Sequence, residues 1–401
     1  MKRYFLLLSM IMFAGCSAQQ PEQDQNKPTE LTIATFNVSM EAQNYASETE
    51  DENATPIGPQ VLMAQLASGE NSQIQNIAEI IQRTRPDIIL LNEFDFIDDP
   101  KAGVEAFINN YLQQPQQGRD PIDYPYYFYG QVNTGLPTLF DLNNDGKRQG
   151  YGADAQGFGL YPGHYGMVLL SRYPLVREQI RTFQRFLWAD MPDAMAPIDP
   201  ATQAPFFTAQ EWHSLRLSSK SHWDVPVEVN GQVIHVLASH PTPPVFDGDE
   251  DRNGRRNHDE IRFWLDYISP GKGDYIYDDR GIYGGIEANS PFVILGDQNA
   301  SPDRPNDTPS AIKQLLASPY VNSTFTPTSA GGKLSQPDNG YAQYYTANWG
   351  ARADYVLPSS QFTIEEGAVF WPSQASPLYR LVEDRSRSSD HRLVWLTIAL
   401  N

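Results

Sequence analysis

An α/β fold, in which helices pack on a largely buried sheet, is predicted by three stretches of the 401-residue chain. Leu31-Thr-Ile-Ala-Thr-Phe-Asn-Val38 is rich in β-formers and alternates, so it reads as a strand that delivers Asn37 near its end. From Asn71 the apolar positions fall at Ile74, Ile77, Ala78 and Ile81, one stripe of an amphipathic helix capped by Asn71 or Ser72 and closed before Pro86. Asp87-Ile-Ile-Leu-Leu-Asn-Glu93 then reads as a strand apolar on both faces and ending in Glu93. Strand, amphipathic helix and doubly buried strand in succession mark a sheet covered by helices.

The first thirty residues stand apart from that fold. Lys2 and Arg3 precede the apolar run Tyr4 to Ala14, about half of the ~20 residues that a bilayer span needs. The run closes on Phe13-Ala-Gly-Cys16, small residues before a cysteine, as in a bacterial secretory leader. The pattern resembles a lipobox, which implies a signal peptide over 1–15, lipidation of Cys16 and an outer-membrane or surface lipoprotein held to the membrane by that anchor. Residues 16–30 are rich in Gln, Glu and Pro without period and read as a flexible tether; the folded domain is expected over 31–401. Cys16 is the only cysteine, so an intrachain disulfide and a thiolate metal site are both excluded.

After the first strand, the polar and acidic residues from Glu41 to Glu70 read as an exposed excursion. Asp98 to Gly163 is aromatic, Gly-rich and irregular, too long for an ordinary connection. Within it Asp141, Asn143 and Asp145 alternate before Gly146 like the first half of a calcium loop, but Gly152 stands where an EF-hand needs its Glu. The readings left are a structural Ca2+ turn completed by a distant ligand such as Asp154, or a bare Asn/Asp turn. Gly166 to Arg172 is a further buried strand, and Phe183 to His222 shows no period. Val225 to Ser239 is a hairpin around Asn230-Gly231, and Pro241, Pro243 and Pro244 hold His240 at its far edge.

Asp247, Asp249, Asp251 and Asn253-Gly254 form a second spaced acidic turn, followed by a helix from about Asn257 with Ile261, Trp264, Leu265 and Ile268 inward. Asn257, His258 and Arg262 on it are candidates for the cleft. Phe292 to Leu295 is a buried strand closed by Gly296, with Asp297 and Asn299 two apart and so expected on one side. Pro309 to Ala317 reads as a short helix, and Ala353 to Leu357 and His391 to Ile398 as strands with their polar residues at the start.

The polar strand ends carry the chemistry. Asn37, Glu93, His240, Asp297 and Asn299 sit at carboxyl ends, Asp354, Asp390 and His391 at amino ends. If the last two strands run antiparallel to the rest, all eight share one rim. Hard oxygens suit Mg2+ (or Mn2+), carboxylates can orient water, and imidazole and carboxamide can hydrogen-bond an anion. A formal net charge of -20 repels polyanions at long range and disfavours tight, sequence-independent nucleic-acid binding.

The pieces TFNV, LNEFD, SHPTPP, GDQN, RADYV and SSDH, in that order from about Leu31 to Leu400, resemble the endonuclease/exonuclease/phosphatase superfamily. That resemblance implies two packed mixed β-sheets flanked by helices, a four-layer αββα sandwich, and hydrolysis of a phosphate-ester substrate by metal-assisted in-line attack of water. It implies Glu93, Asn37 and Asp390 as the metal site, with His240, Asp297, Asn299, Asp354 and His391 catalytic. Asp297 would act on the water, Asn299 and His240 on phosphate oxygens, and Asp354 would orient His391. A secreted, lipid-anchored phosphodiesterase or phosphomonoesterase is the first reading. Nucleic acid as the substrate needs a basic groove, for which the sequence offers only Arg252, Arg255, Arg256 and Arg262, with Tyr124 to Tyr129 as a stacking candidate. An inactive calcium-stabilised binding lipoprotein is the third; it predicts loss of rim residues, and none is missing.

Overall fold

A computed structural model describes residues 29–46, 57–304 and 310–400. The leader, Cys16 and the tether as far as residue 28 lie outside the described residues. No helix among the described residues is long and apolar enough to cross a membrane.

Two mixed sheets form the centre. The first holds β1 (Glu30–Met40), β2 (Ile88–Phe94), β3 (Tyr126–Tyr129), β4 (Met167–Ser171), β10 (Ile364–Val369) and β11 (Val394–Ala399), in the order β10-β11-β1-β2-β4-β3. The second holds β5 (Arg181–Thr182), β6 (His222–Val229), β7 (Gln232–Ser239), β8 (Phe292–Asp297) and β9 (Asp354–Pro358), in sequential order. Each has one parallel pair, β1 with β2 and β7 with β8; its other pairs are antiparallel. One core joins the sheets, with Ile33 of β1 and Leu90 of β2 in the same cluster as Val236 of β7 and Leu295 of β8. Helices cover both outer faces, so the four-layer αββα expectation is met.

On the first sheet lies α2 (Ser72–Thr84), whose expected stripe of Ile74, Ile77, Ala78 and Ile81 is buried and whose first turn is capped by the Asn71 side chain. On the second lies α5 (Arg252–Ile268), with Phe263, Trp264 and Tyr267 turned inward. The hairpin is as expected: Asn230 and Gly231 take φ of 56° and 82°, the left-handed pair that a tight β-hairpin turn demands.

Several expectations are corrected. Glu41 to Glu70 is not wholly exposed: Glu41 and Ala42 are buried, and α1 (Pro59–Ser68) buries Leu62 and Leu66. Pro59 in its first turn and left-handed Gly69 after its end are ordinary helix punctuation that the polar composition hid. Burying two leucines contributes roughly 1.5–3 kcal/mol each. In the insertion, a short helix α3 (Val104–Phe107) runs on to Leu112. Phe183 to His222 feeds the core at both ends, with Phe183, Phe186 and Trp188 packed on α5 and Leu215 and Leu217 buried, while its middle is mostly exposed and leads to a short capped helix α4 (Ala209–Trp212). The aromatic edges meet at right angles, as for Phe183 on Trp264 at 89°. Helix α5 starts at Arg252, not Asn257, because the Asp247 carboxylate accepts the Asn253 N–H and folds Asn253-Gly254 into its first turn. The second acidic turn is therefore a helix lead-in. A further helix, α6 (Ala311–Leu316), occupies most of the stretch expected from Pro309 to Ala317.

Candidate active site

Sheet register brings the rim together. Asn37 stands beside Asn92 in the parallel β1–β2 pair, and Asp297 beside Asp354 in the antiparallel β8–β9 pair. Because β11 runs antiparallel to β1, with Val394 beside Thr35, the residues just before β11 return to the level of Asn37. The carboxyl ends of one set of strands and the amino ends of the other thus meet on one rim, as the antiparallel condition required.

Asp297 is the centre. Its carboxylate accepts an N–H from the Asn37 carboxamide at 3.1 Å and from the Asn299 backbone at 2.9 Å, and Nε2 of both His240 and His391 lies 3.4 Å away. His391 donates through Nδ1 to Asp354 at 2.8 Å, and Thr346 donates its hydroxyl to the same carboxylate oxygen at 2.6 Å. Trp349 closes over His391 edge to face at 4.7 Å. The four ionisable groups are almost wholly buried.

Burial opposes charge on every one of these groups, so their partners decide the outcome. For Asp297 the desolvation is overcome by His391 and then His240, which hold the carboxyl well below the ordinary range. For His391 the desolvation is overcome by Asp354 and Asp297, which carry the ring up to about 10. Burial pushes the Asp354 carboxyl up, so this pair keeps one proton, and Asp354 holds it on His391. His240 is pushed down, by burial first and then by the Lys220 ammonium. At neutral pH the arrangement is one charged imidazole, one neutral imidazole and a carboxylate between them.

A second group of acids stands alongside. The guanidinium of Arg385 lies 3.6 Å from Glu41, 3.9 Å from Glu93 and 3.8 Å from Asp390. The backbone bends to reach this place: Ser39, Glu93 and Asn299, each at or just beyond a strand end, take left-handed φ of 47°, 55° and 51°. Such conformations cost on the order of 1–3 kcal/mol each for residues other than glycine, and they concentrate at functional sites.

The sequence itself decides the family. A profile of the Endonuclease/Exonuclease/phosphatase family matches residues 34–391, most of the chain. The chain belongs to this family. The endonuclease/exonuclease/phosphatase from Beutenbergia cavernae DSM 12333 shares the fold at TM-score 0.50 and 19% identity, over 93% of this chain and 72% of that one. The human Nocturnin catalytic domain with bound sulfate aligns at TM-score 0.44 and 16% identity, over 93% and 95% of the two chains. A double mutant of beta toxin from Staphylococcus aureus with bound magnesium ions aligns at TM-score 0.43 and 14% identity, over 93% and 100%. No curated protein matches the sequence.

Within this endonuclease/exonuclease/phosphatase domain, donor atoms of Asp297, Asp354 and His391 lie within 4.8 Å of one another, close enough for one cation. The imidazolium proton of His391 already supplies positive charge there, and a protonated ring has no lone pair to give. Glu93 and Asp390, joined by Glu41, form the other set of hard oxygens. Asn37 lies between the sets, its Oδ1 accepting the Ser39 N–H at 3.2 Å and its Nδ2 spent on Asp297.

Two expectations change in detail. β8 ends at Asp297, and Asn299 leaves it with a left-handed turn, so strand alternation does not aim the pair. Asn299 instead donates its side-chain N–H to the Pro241 carbonyl at 3.1 Å, tying it to the loop after His240. His240 presents Nε2 to Asp297, while its Nδ1 is buried without a hydrogen-bond partner among the described residues.

Other candidates have structural employment. Asn257 donates to the Thr242 and Gln298 carbonyls, and so fixes the loops on either side of the site. His258 pairs with Asp259, and Arg262 with Asp266 and the Pro192 carbonyl. Arg255 and Arg256 bond backbone carbonyls and Arg252 pairs with Glu250, so the arginine cluster is not a basic groove. The hydroxyls of Tyr124, Tyr127 and Tyr129 are bonded to Pro86, Glu105 and Asp98. In the calcium-like turn Asp141 accepts the N–H groups of Asp145 and Gly146, and Asp145 those of Lys147 and Asn143. Asp154, buried, caps the same loop through Leu142 and Gln149.

Sequence reasoning missed Asn92, whose Oδ1 accepts the Asp297 N–H at 3.1 Å and joins the sheets, and Thr346, Arg385, Lys220 and Glu41. Asn92 and Glu41 lie next to or close after predicted strand ends; Arg385, Lys220 and Thr346 lie in segments without periodic signal.

Proposed function

We propose that the protein is a divalent-metal-dependent phosphoesterase that hydrolyses phosphodiester or phosphomonoester bonds by in-line attack of water. The observation that carries this reading is a single buried carboxylate, Asp297, with Nε2 of His240 and of His391 each 3.4 Å away. A phosphate ester resists attack because it is itself an anion, so hydrolysis calls for positive charge, an oriented water and a route for its proton. Asp297 is suited to orient the water and draw its proton, and the His391 imidazolium to bear on a non-bridging oxygen. Asp354 and Thr346 hold His391 in register.

The acids around Arg385 fit a hard cation. Glu41, Glu93 and Asp390 converge on one guanidinium, leaving negative charge in excess at a point where positive charge is already demanded. Glu93, Asp390 and the Asn37 carboxamide would hold Mg2+ or Mn2+, which when bound supplies Lewis-acid neutralisation of the phosphate. Export and lipid attachment at Cys16 complete the proposal, supported by the charged, apolar and small-residue order of the first sixteen residues.

Replacing Asp297 with Ala and assaying bis-p-nitrophenyl phosphate with Mg2+ or Mn2+ tests the reading; undiminished turnover sinks it. Turnover of that diester beside p-nitrophenyl phosphate and plasmid DNA separates diesterase, monoesterase and nuclease. The arginines spent on carbonyls and on Glu250 disfavour the last.

A further inference from the structure

A cavity of about 430 Å3 opens beside the site and is walled by the insertions rather than by the sheets. Leu142, Ala155 and Phe158 line it from the first insertion, Trp188, Phe207 and Leu215 from the segment before β6. It reaches the site on one side only: Glu93, His240 and Arg385 line it, whereas Asp297, Asp354 and His391 do not. Seen from Asp297, where water would be activated, the cavity lies beyond His240.

Most of its polar groups are already bonded within the protein, as Arg256 is to the Leu217 carbonyl and Arg252 to Glu250. His240 Nδ1 and Thr242 Oγ1 have no hydrogen-bond partner among the described residues, but both atoms are sealed from the cavity that their residues line. Lys220 lines it too at 5% exposure, and forms no ion pair among the described residues. A buried ammonium without an ion-pair partner costs free energy unless something in the cavity bonds it. Apolar walls and one buried ammonium, in a cavity that His240 and Glu93 border on the side of the site, describe one kind of occupant.

We infer that this chamber receives the organic group of the phosphate ester, and that this group is an apolar body with an oxygen acceptor close to the phosphorus, within reach of Lys220. The inference rests on the phosphoesterase reading for the orientation of the ligand but on the chamber alone for its chemistry. Each buried methylene favours binding through the area it removes from water, so affinity grows with the apolar chain until the chamber is full. The exposed rings of Phe158 and Phe246 stand where a longer chain leaves it.

Phosphonates, which carry one organic group and are not hydrolysed, isolate the effect. Methyl-, hexyl- and octylphosphonate are titrated calorimetrically into the full chain with Mg2+ present. Octylphosphonate is expected to bind at least 30-fold more tightly than methylphosphonate. Ala155→Trp, which fills the chamber, should abolish that ratio while leaving methylphosphonate affinity within twofold; Phe158→Ala, at a 59% exposed position where folding is not at stake, should reduce it several-fold. Equal affinities for methyl- and octylphosphonate overturn the inference, as does a chain-length ratio that both variants leave unchanged. Absence of bis-p-nitrophenyl phosphate turnover is a separate failure, of the catalytic reading, and the binding ratio still decides the chamber.

Discussion

Nε2 of His391 lies 3.4 Å from the Asp297 carboxylate although the two residues belong to different sheets, one on the loop entering β11 and the other at the end of β8. The site therefore exists only while the sheets keep their relative position. Asn92 supplies part of that constraint, spanning from β2 to the Asp297 N–H.

Asp354 acts through His391 and so is a positioning residue. Asp354→Asn is expected to lower kcat on bis-p-nitrophenyl phosphate by about 10²–10³-fold with KM within threefold, in line with loss of an oriented charged group. A parallel fall in substrate affinity would assign Asp354 to binding instead.

Glu93 and Arg385 should move the metal requirement in opposite directions. Glu93→Gln removes a hard ligand, and the Mg2+ concentration for half-maximal activity should rise at least tenfold. Arg385→Met removes the cation now balancing Glu41, Glu93 and Asp390, and the same concentration should fall several-fold. Metal titrations of both variants read this directly; an Arg385→Met requirement equal to the parent's contradicts competition between guanidinium and metal.

His222 gives the fold a pH dependence remote from the catalytic carboxylates. The ring donates from Nε2 to the Glu260 carbonyl at 2.9 Å, accepts at Nδ1 from Ser218 at 2.5 Å, and is pushed by burial down to about 4. Below its ordinary 6.5 the unfolded chain takes up a proton that the folded chain refuses, so stability falls as pH drops from 6.5 to 4, by on the order of 3 kcal/mol. Urea midpoints at pH 7 and pH 5 should differ less in His222→Gln than in the parent, though the variant is less stable at pH 7.

Gly296 is fixed by contact and by conformation. It adopts φ 139°, and a Cβ there would stand 2.0 Å from the Ser239 carbonyl oxygen of the neighbouring strand. Gly296→Ala should cost more than about 3 kcal/mol, whereas Gly69→Ala, at φ 67° with its nearest neighbour at 3.5 Å, should cost about 1–2 kcal/mol. Urea unfolding of the two variants makes the comparison.

The sequence by itself determined what depends on local period and on chain order. The stripe of α2, the Asn230-Gly231 turn, the apolar strands and the polar residues at their ends are legible because burial of one face imposes its period on neighbouring positions. The family followed from the order of short motifs, as the profile match bears out. What stayed hidden was α1, the packing of Phe183 to Trp188 on α5, and the true start of α5, where short elements carry too few repeats to show a period.

Only the tertiary structure decided which polar groups face one another. Nothing along the chain places Arg385 among Glu41, Glu93 and Asp390, puts Lys220 in a chamber behind His240, or sets the arginines of α5 on backbone carbonyls. These contacts join segments tens to hundreds of residues apart, and each is fixed by where two sheets and their insertions pack. A charge has no period to betray its partner, so its role becomes visible only once burial has removed the water and left a particular neighbour in its place.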